Sequence, residues 1–253
     1  MRRSMIVANW KMYTQAADAH VLATTVRNYV TNLEGVEVTL CPPAVWLTEV
    51  GAILGKKGKV QLGAQNMFYE PEGAYTGEIS PMMLKDLVKY VIIGHSERRK
   101  HFGETNLDVN EKVIAALKAG LCPIVCVGEE KKSIGYPKGP VEQLGQALLH
   151  VPKKNFKDIV VAYEPIWAIG TGQNADADYV VKVVAALREL VMQDTPILYG
   201  GSVKSGNCAE YGKRPEIDGL LVGGASLRAA EFVKICSIWA ESKSFKNDVK
   251  IKE

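Results

Sequence analysis

With 253 residues, 47% hydrophobic and 23% charged, the chain is long enough to bury a large core and has an ordinary globular composition. Its 31 Lys and Arg against 28 Asp and Glu give a net charge of +3, which offers no footprint for nucleic acid or a membrane surface. No apolar run approaches the ~20 residues that span a bilayer. Met1-Arg2-Arg3-Ser4 runs into a strand too short for a secretory leader, so a cytoplasmic protein is expected. Five cysteines, an odd number set mostly in apolar runs, point to reduced, buried thiols. Cys122 and Cys126 share one face of an alternating strand and read as core neighbours.

Short Val/Ile-rich runs alternate with helical patterns along the chain. Strands are expected at Met5–Trp10, Glu37–Cys41, Val60–Gln65, Tyr90–Gly94, Cys122–Val127, Ile159–Tyr163, Ile197–Tyr199 and Gly219–Val222. Between them come helical patterns at Ala16–Leu33, Ala44–Leu54, Met82–Leu87, Leu107–Ala119, Pro140–Leu149, Ala177–Met192 and Cys208–Tyr211, with Ala229–Ala240 after the last strand. Eight strand–helix units in about 250 residues fit a parallel, eight-stranded closed (β/α)8 barrel with outer helices, a single α/β domain. A doubly wound open sheet is the competing reading. It normally carries a Gly-rich phosphate turn after the first strand, where this chain has Asn9-Trp10-Lys11. From about residue 241 the chain has the composition of a polar tail.

In such a barrel the residues that follow the strands converge on one face. Strand one delivers Asn9 and Lys11. Strand four delivers His95, with Ser96 reading as a helix N-cap and Glu97 as part of the cap or a partner for Lys11. Glu164 follows strand six, which Pro165 is expected to end. The apolar Ile166–Ile169 and Gly170-Thr171-Gly172 after it read as a lid, excluding water and hinged to move. Strand seven leads into Gly200-Gly201-Ser202 and strand eight into Gly223-Gly224. Two glycine pairs on consecutive strands, with Gly170, allow a ring of backbone N–H donors around an anion.

Six segments match one family in order: ANWKMY (8–13), GAYTGEIS (73–80), IIGHSERR (92–99), AYEPIWAIGTG (162–172), LYGGSV (198–203) and LVGGASL (221–227). The chain resembles the triosephosphate isomerases, the enzymes for which the TIM barrel is named. The resemblance implies interconversion of dihydroxyacetone phosphate and glyceraldehyde 3-phosphate through an enediolate, with no metal or cofactor. Glu164 matches the base, His95 the neutral electrophile, Lys11 the substrate-binding cation and Asn9 its polar neighbour. Glu97 matches the acidic partner of the lysine. Gly170, Ser202, Gly223 and Gly224 match the phosphate-gripping positions. The neutral histidine and the closing lid are well-known features of this family and come with the resemblance. It also implies a homodimer, in which the loop Gln65–Glu78 places Thr76 near the partner's active site.

The chain departs from the family pattern at Lys204-Ser205-Gly206-Asn207, in the segment Glu129–Gly139 and in the tail Lys243–Glu253. Two other functions fit the same architecture. A Schiff-base aldolase needs a lysine within a strand or at its buried end. A non-catalytic phosphosugar-binding barrel would keep the glycines and lose the base or the electrophile.

Overall fold

The computed structural model describes residues 2–55, 58–168 and 174–244. Eight strands run in chain order around a closed, all-parallel barrel: β1 (Met5–Asn9), β2 (Glu37–Cys41), β3 (Val60–Ala64), β4 (Tyr90–Ile93), β5 (Cys122–Glu129), β6 (Val160–Pro165), β7 (Ile197–Tyr199) and β8 (Gly219–Val222). β8 pairs with β1, Met5 lying opposite Gly219, and no edge is left open. The open-sheet alternative is thereby excluded.

Alternation along each strand divides the core into two layers. Met5, Val7, Cys41, Tyr90, Ile92, Ile124 and Leu198 form the inner cluster. Ile6, Ala8, Val91, Ile93, Val125 and Tyr199 join the larger outer cluster that packs against the helices. Cys122 and Cys126 both belong to the inner cluster, as the two-residue period requires.

The outer helices are α1 (Ala16–Val30), α2 (Leu47–Leu54), α3 (Pro81–Leu84), α4 (Ser96–Phe102), α5 (Asn106–Lys118), α6 (Lys138–Ala147), α7 (Ala177–Arg188), α8 (Cys208–Gly212) and α9 (Ala229–Ser244). Their starts follow local chemistry. Thr105 and Asp108 form a reciprocal capping box on α5, and the Asp176 carboxylate accepts the N–H groups of Asp178 and Tyr179 at α7. α7 buries Val180, Val183, Val184 and Leu187, which recur at helical spacing on one face. α3 starts and stops earlier than the apolar pattern suggests, because Ser80 caps it and Pro81 occupies its first position. α9 continues to Ser244, so residues 241–244 are helical where a tail is expected from the composition. Residues 245–253 lie outside the described part.

Candidate active site

A cleft of about 790 Å³ opens at the C-terminal ends of the strands. Eight of the ten positions singled out from the sequence line it: Asn9, Lys11, His95, Glu97, Glu164, Ser202, Gly223 and Gly224. Gly170 falls within residues 169–173, outside the described part. Thr76 is exposed on the loop after β3 and does not line this cleft.

Lys11 is held in an unusual backbone conformation. Its φ of 53° lies in the left-handed region, where a side chain costs roughly 1–2 kcal/mol. Two clamps hold it there. The Lys11 N–H donates to Asn9 Oδ1 at 3.0 Å, and the Gln65 amide donates to the carbonyls of Lys11 and Cys41, both at 2.9 Å. The ammonium Nζ then reaches Glu97 Oε1 at 2.5 Å. Of the two readings for Glu97, partner of Lys11 is the one the side chain fulfils. Asn9 therefore acts on the backbone of Lys11 as well as lining the cleft. Gln65 was invisible as a site residue because its signal, a polar residue at the end of β3, is shared with any loop entry.

The helix cap after β4 differs from expectation. His95, not Ser96, is the N-cap of α4: its Nδ1 accepts the Glu97 N–H at 3.2 Å. An imidazole nitrogen that accepts carries no proton, so the ring hydrogen of the neutral form sits on Nε2. Nε2 lies 3.1 Å from Glu164 Oε1. Ser96, released from capping, is the first helical residue, and it holds the carboxylate. Its N–H donates to Glu164 Oε2 at 2.9 Å and its hydroxyl to Oε1 at 3.3 Å. The positive end of α4 thus faces a carboxylate, the polarity a helix N-terminus favours.

Glu164 is 2% exposed and sits within β6, which runs on through Pro165 rather than ending before it. The pairing that carries it, Gly128 with Glu164, works only without a side chain at 128: a Cβ there would lie 1.9 Å from the Glu164 carbonyl oxygen. A Cβ on Gly200 would meet Glu164 Cγ at 3.1 Å. Two neighbouring strands therefore make room for the acid. Burial pushes the thiol of nearby Cys126 well above its ordinary range, and the Glu164 charge pushes it the same way.

After β7, Ser202 donates its hydroxyl to the Ala168 carbonyl at 2.9 Å, linking this turn to the chain leaving β6. Gly223 precedes a single 3-10 turn, Gly224–Leu227, whose first amides have no partner within the turn. Gly224 faces open space, and Gly223 packs close to Lys11. Among the described residues no group of three or more His, Cys, Asp or Glu has the arrangement to hold a metal ion.

The triosephosphate isomerase family model matches residues 4–239, the whole barrel. The chain belongs to the triosephosphate isomerase family. It is 48% identical over 247 residues to the triosephosphate isomerase of Dehalococcoides mccartyi (strain CBDB1), covering 93% of this chain and 96% of that one. The enzyme of Thermoanaerobacter pseudethanolicus is 47% identical and that of Dictyoglomus thermophilum 45%, each over 93% of this chain and 99% of the relative. The activity supported is interconversion of dihydroxyacetone phosphate and glyceraldehyde 3-phosphate, a step of glycolysis.

Proposed function

We propose that Glu164 is the base of this isomerisation and His95 and Lys11 its electrophiles. The supporting observation is the 3.1 Å approach of Glu164 Oε1 to His95 Nε2 on the cleft that Lys11 also lines. Glu164 removes a proton from the carbon beside the substrate carbonyl. The electron pair moves into the new carbon–carbon double bond, and negative charge gathers on the carbonyl oxygen. His95 Nε2–H donates to that oxygen and recovers a proton from the neighbouring hydroxyl, while the Lys11 ammonium offsets the charge. Glu164 returns its proton to the adjacent carbon, and the other isomer results. As described, the carboxylate is withdrawn onto Ser96, so it must give up the Ser96 N–H and hydroxyl to reach substrate. Ser202, Gly223 and Gly224 receive the phosphate, together with Gly170.

Turnover in deuterated water tests the base. Wild type should exchange the carbon-bound hydrogen with solvent during isomerisation, and Glu164→Gln should lose both exchange and turnover. A Glu164→Gln enzyme that still exchanges would refute the assignment.

The enzyme works as one cytoplasmic barrel domain that pairs into a homodimer through the loop Gln65–Glu78. In support, the large apolar side chains of Met12, Tyr13, Tyr75, Met82, Met83 and Phe102 stand exposed on the segments after β1, β3 and β4, where a second copy could cover them. Buried, unpaired thiols at all five cysteines suit a reducing compartment. No helix among the described residues is long and apolar enough to cross a membrane. Sedimentation of wild type against Thr76→Arg reads the dimer: a monomer mass for wild type would contradict pairing, and a variant as dimeric as wild type would contradict pairing through this loop.

A further inference from the structure

The chain leaving β6 carries Glu164 and then folds into a 3-10 turn, Ile166–Ala168. Only Pro165 separates this turn from the carboxylate-bearing residue. Three donors from that region converge on one oxygen, Glu129 Oε1: the Tyr163 hydroxyl, the Tyr179 hydroxyl at 2.9 Å and the Trp167 indole N–H at 3.3 Å. The other oxygen, Oε2, is buried with no hydrogen-bond partner among the described residues. A buried carboxylate satisfied on one side only is costly unless positive charge lies close by.

The segment Glu129–Gly139, where this sequence departs from the family pattern, brings a cation to two of the rings whose donors hold Oε1. Lys132 Nζ stands 4.9 Å from the centroid of the Tyr179 ring and 5.9 Å from that of Trp167. The two rings meet edge-on at 5.9 Å. The next residue ties the segment down, the Ser133 N–H donating to the Tyr179 hydroxyl oxygen at 3.0 Å. A cation over a ring face is attracted to it and draws electron density, so the indole N–H and phenol O–H become stronger donors to Glu129.

We propose that Lys132 is a positioning residue for the isomerisation: through Trp167 and Tyr179 it fixes the turn after β6 and hence the reach of Glu164. The proposal rests on the reading of Glu164 as the base. Lys132 is exposed. A cation–aromatic contact at such a site contributes about 0.5–1 kcal/mol, which corresponds to roughly a two- to fivefold effect on rate.

The test compares Lys132→Met and Lys132→Arg in the full-length enzyme. Lys132→Met should lower kcat two- to fivefold with KM for dihydroxyacetone phosphate and melting temperature unchanged, and Lys132→Arg should restore kcat. The Trp167 contribution to fluorescence, isolated by subtracting Trp167→Phe, should shift in Lys132→Met without substrate present. Wild-type kcat in Lys132→Met, or a Lys132→Arg enzyme as slow as Lys132→Met, would overturn the proposal. A Glu164→Gln enzyme that keeps exchanging hydrogen refutes the base instead. The fluorescence shift involves no chemistry, so the two failures are distinguishable.

Discussion

The two ends of the barrel hold their charges in opposite ways. At the N-terminal end, Asp218 is saturated: Oδ1 pairs with Arg2 at 2.5 Å, and Oδ2 pairs with Arg188 at 2.7 Å while accepting the Ile197 N–H at 2.9 Å. Glu37 likewise takes the Tyr90 hydroxyl and the Lys89 ammonium. Both oxygens of each carboxylate are already engaged by the protein. At the C-terminal end, Glu164 is buried just as deeply but rests on a serine and a neutral imidazole. Partners of that kind can be exchanged for substrate. One end uses charge to fix the sheet; the other keeps a buried carboxylate on the cleft, where we propose it acts as the base.

The first way to break this contrast is Lys11→Met. The barrel should keep its melting temperature, while kcat/KM falls on the order of 10²–10³-fold, the usual cost of losing a preorganised charge at a developing oxyanion. A loss of stability matching the loss of rate would place Lys11 among the structural charges. Glu164→Asp should cost about a hundredfold in kcat, since the shorter side chain misplaces the carboxylate by ~1 Å. Steady-state kinetics beside a thermal melt separate the two effects.

At the other end, Asp218→Ala should leave kcat per folded molecule intact and destabilise the protein by about 3 kcal/mol, because two guanidiniums lose a buried partner. Urea unfolding reads this, and a variant that also loses turnover would remove the distinction between the ends.

A smaller effect is expected outside the barrel. Thr105→Ala at the start of α5 should cost at most about 1 kcal/mol, since the capping box is largely exposed. The Thr105 hydroxyl and N–H hold the Asp108 carboxyl below its ordinary value. A depressed folded-state value means this contribution is complete above the unfolded carboxyl's pKa, near 3.9, and fades as pH falls through the lower folded value. The gap in urea midpoint between Thr105→Ala and wild type should therefore narrow only below about pH 4. A constant gap down to pH 3 would assign the effect to the hydroxyl alone.

The mildest test uses thiol reagents. All five cysteines are buried, and burial pushes Cys122 and Cys208 up to about 11, with Cys41, Cys126 and Cys236 higher still. At pH 8 the folded protein should take up iodoacetamide only as fast as it unfolds. Rapid labelling at one cysteine would expose a local opening.

Much of this was legible along the chain. Local periodicity gave the eight strands, and the polar residues that follow them gave the cleft, because a parallel barrel collects the ends of all its strands on one face. Chain order alone could not give the geometry inside that face. Ser96 looked like a cap, since Ser before Glu is a local signal. Only the fold, which brings β6 beside α4, reveals that His95 does the capping and Ser96 holds Glu164. The same holds for Gln65, which reaches back 54 residues to clamp Lys11, and for Gly128, bare because Glu164 lies against it. Sequence determined which chemistry the chain carries, since side-chain type and strand period are local properties. Tertiary structure alone decided which atom faces which, because hydrogen bonds act over about 3 Å and their partners here lie dozens of residues apart.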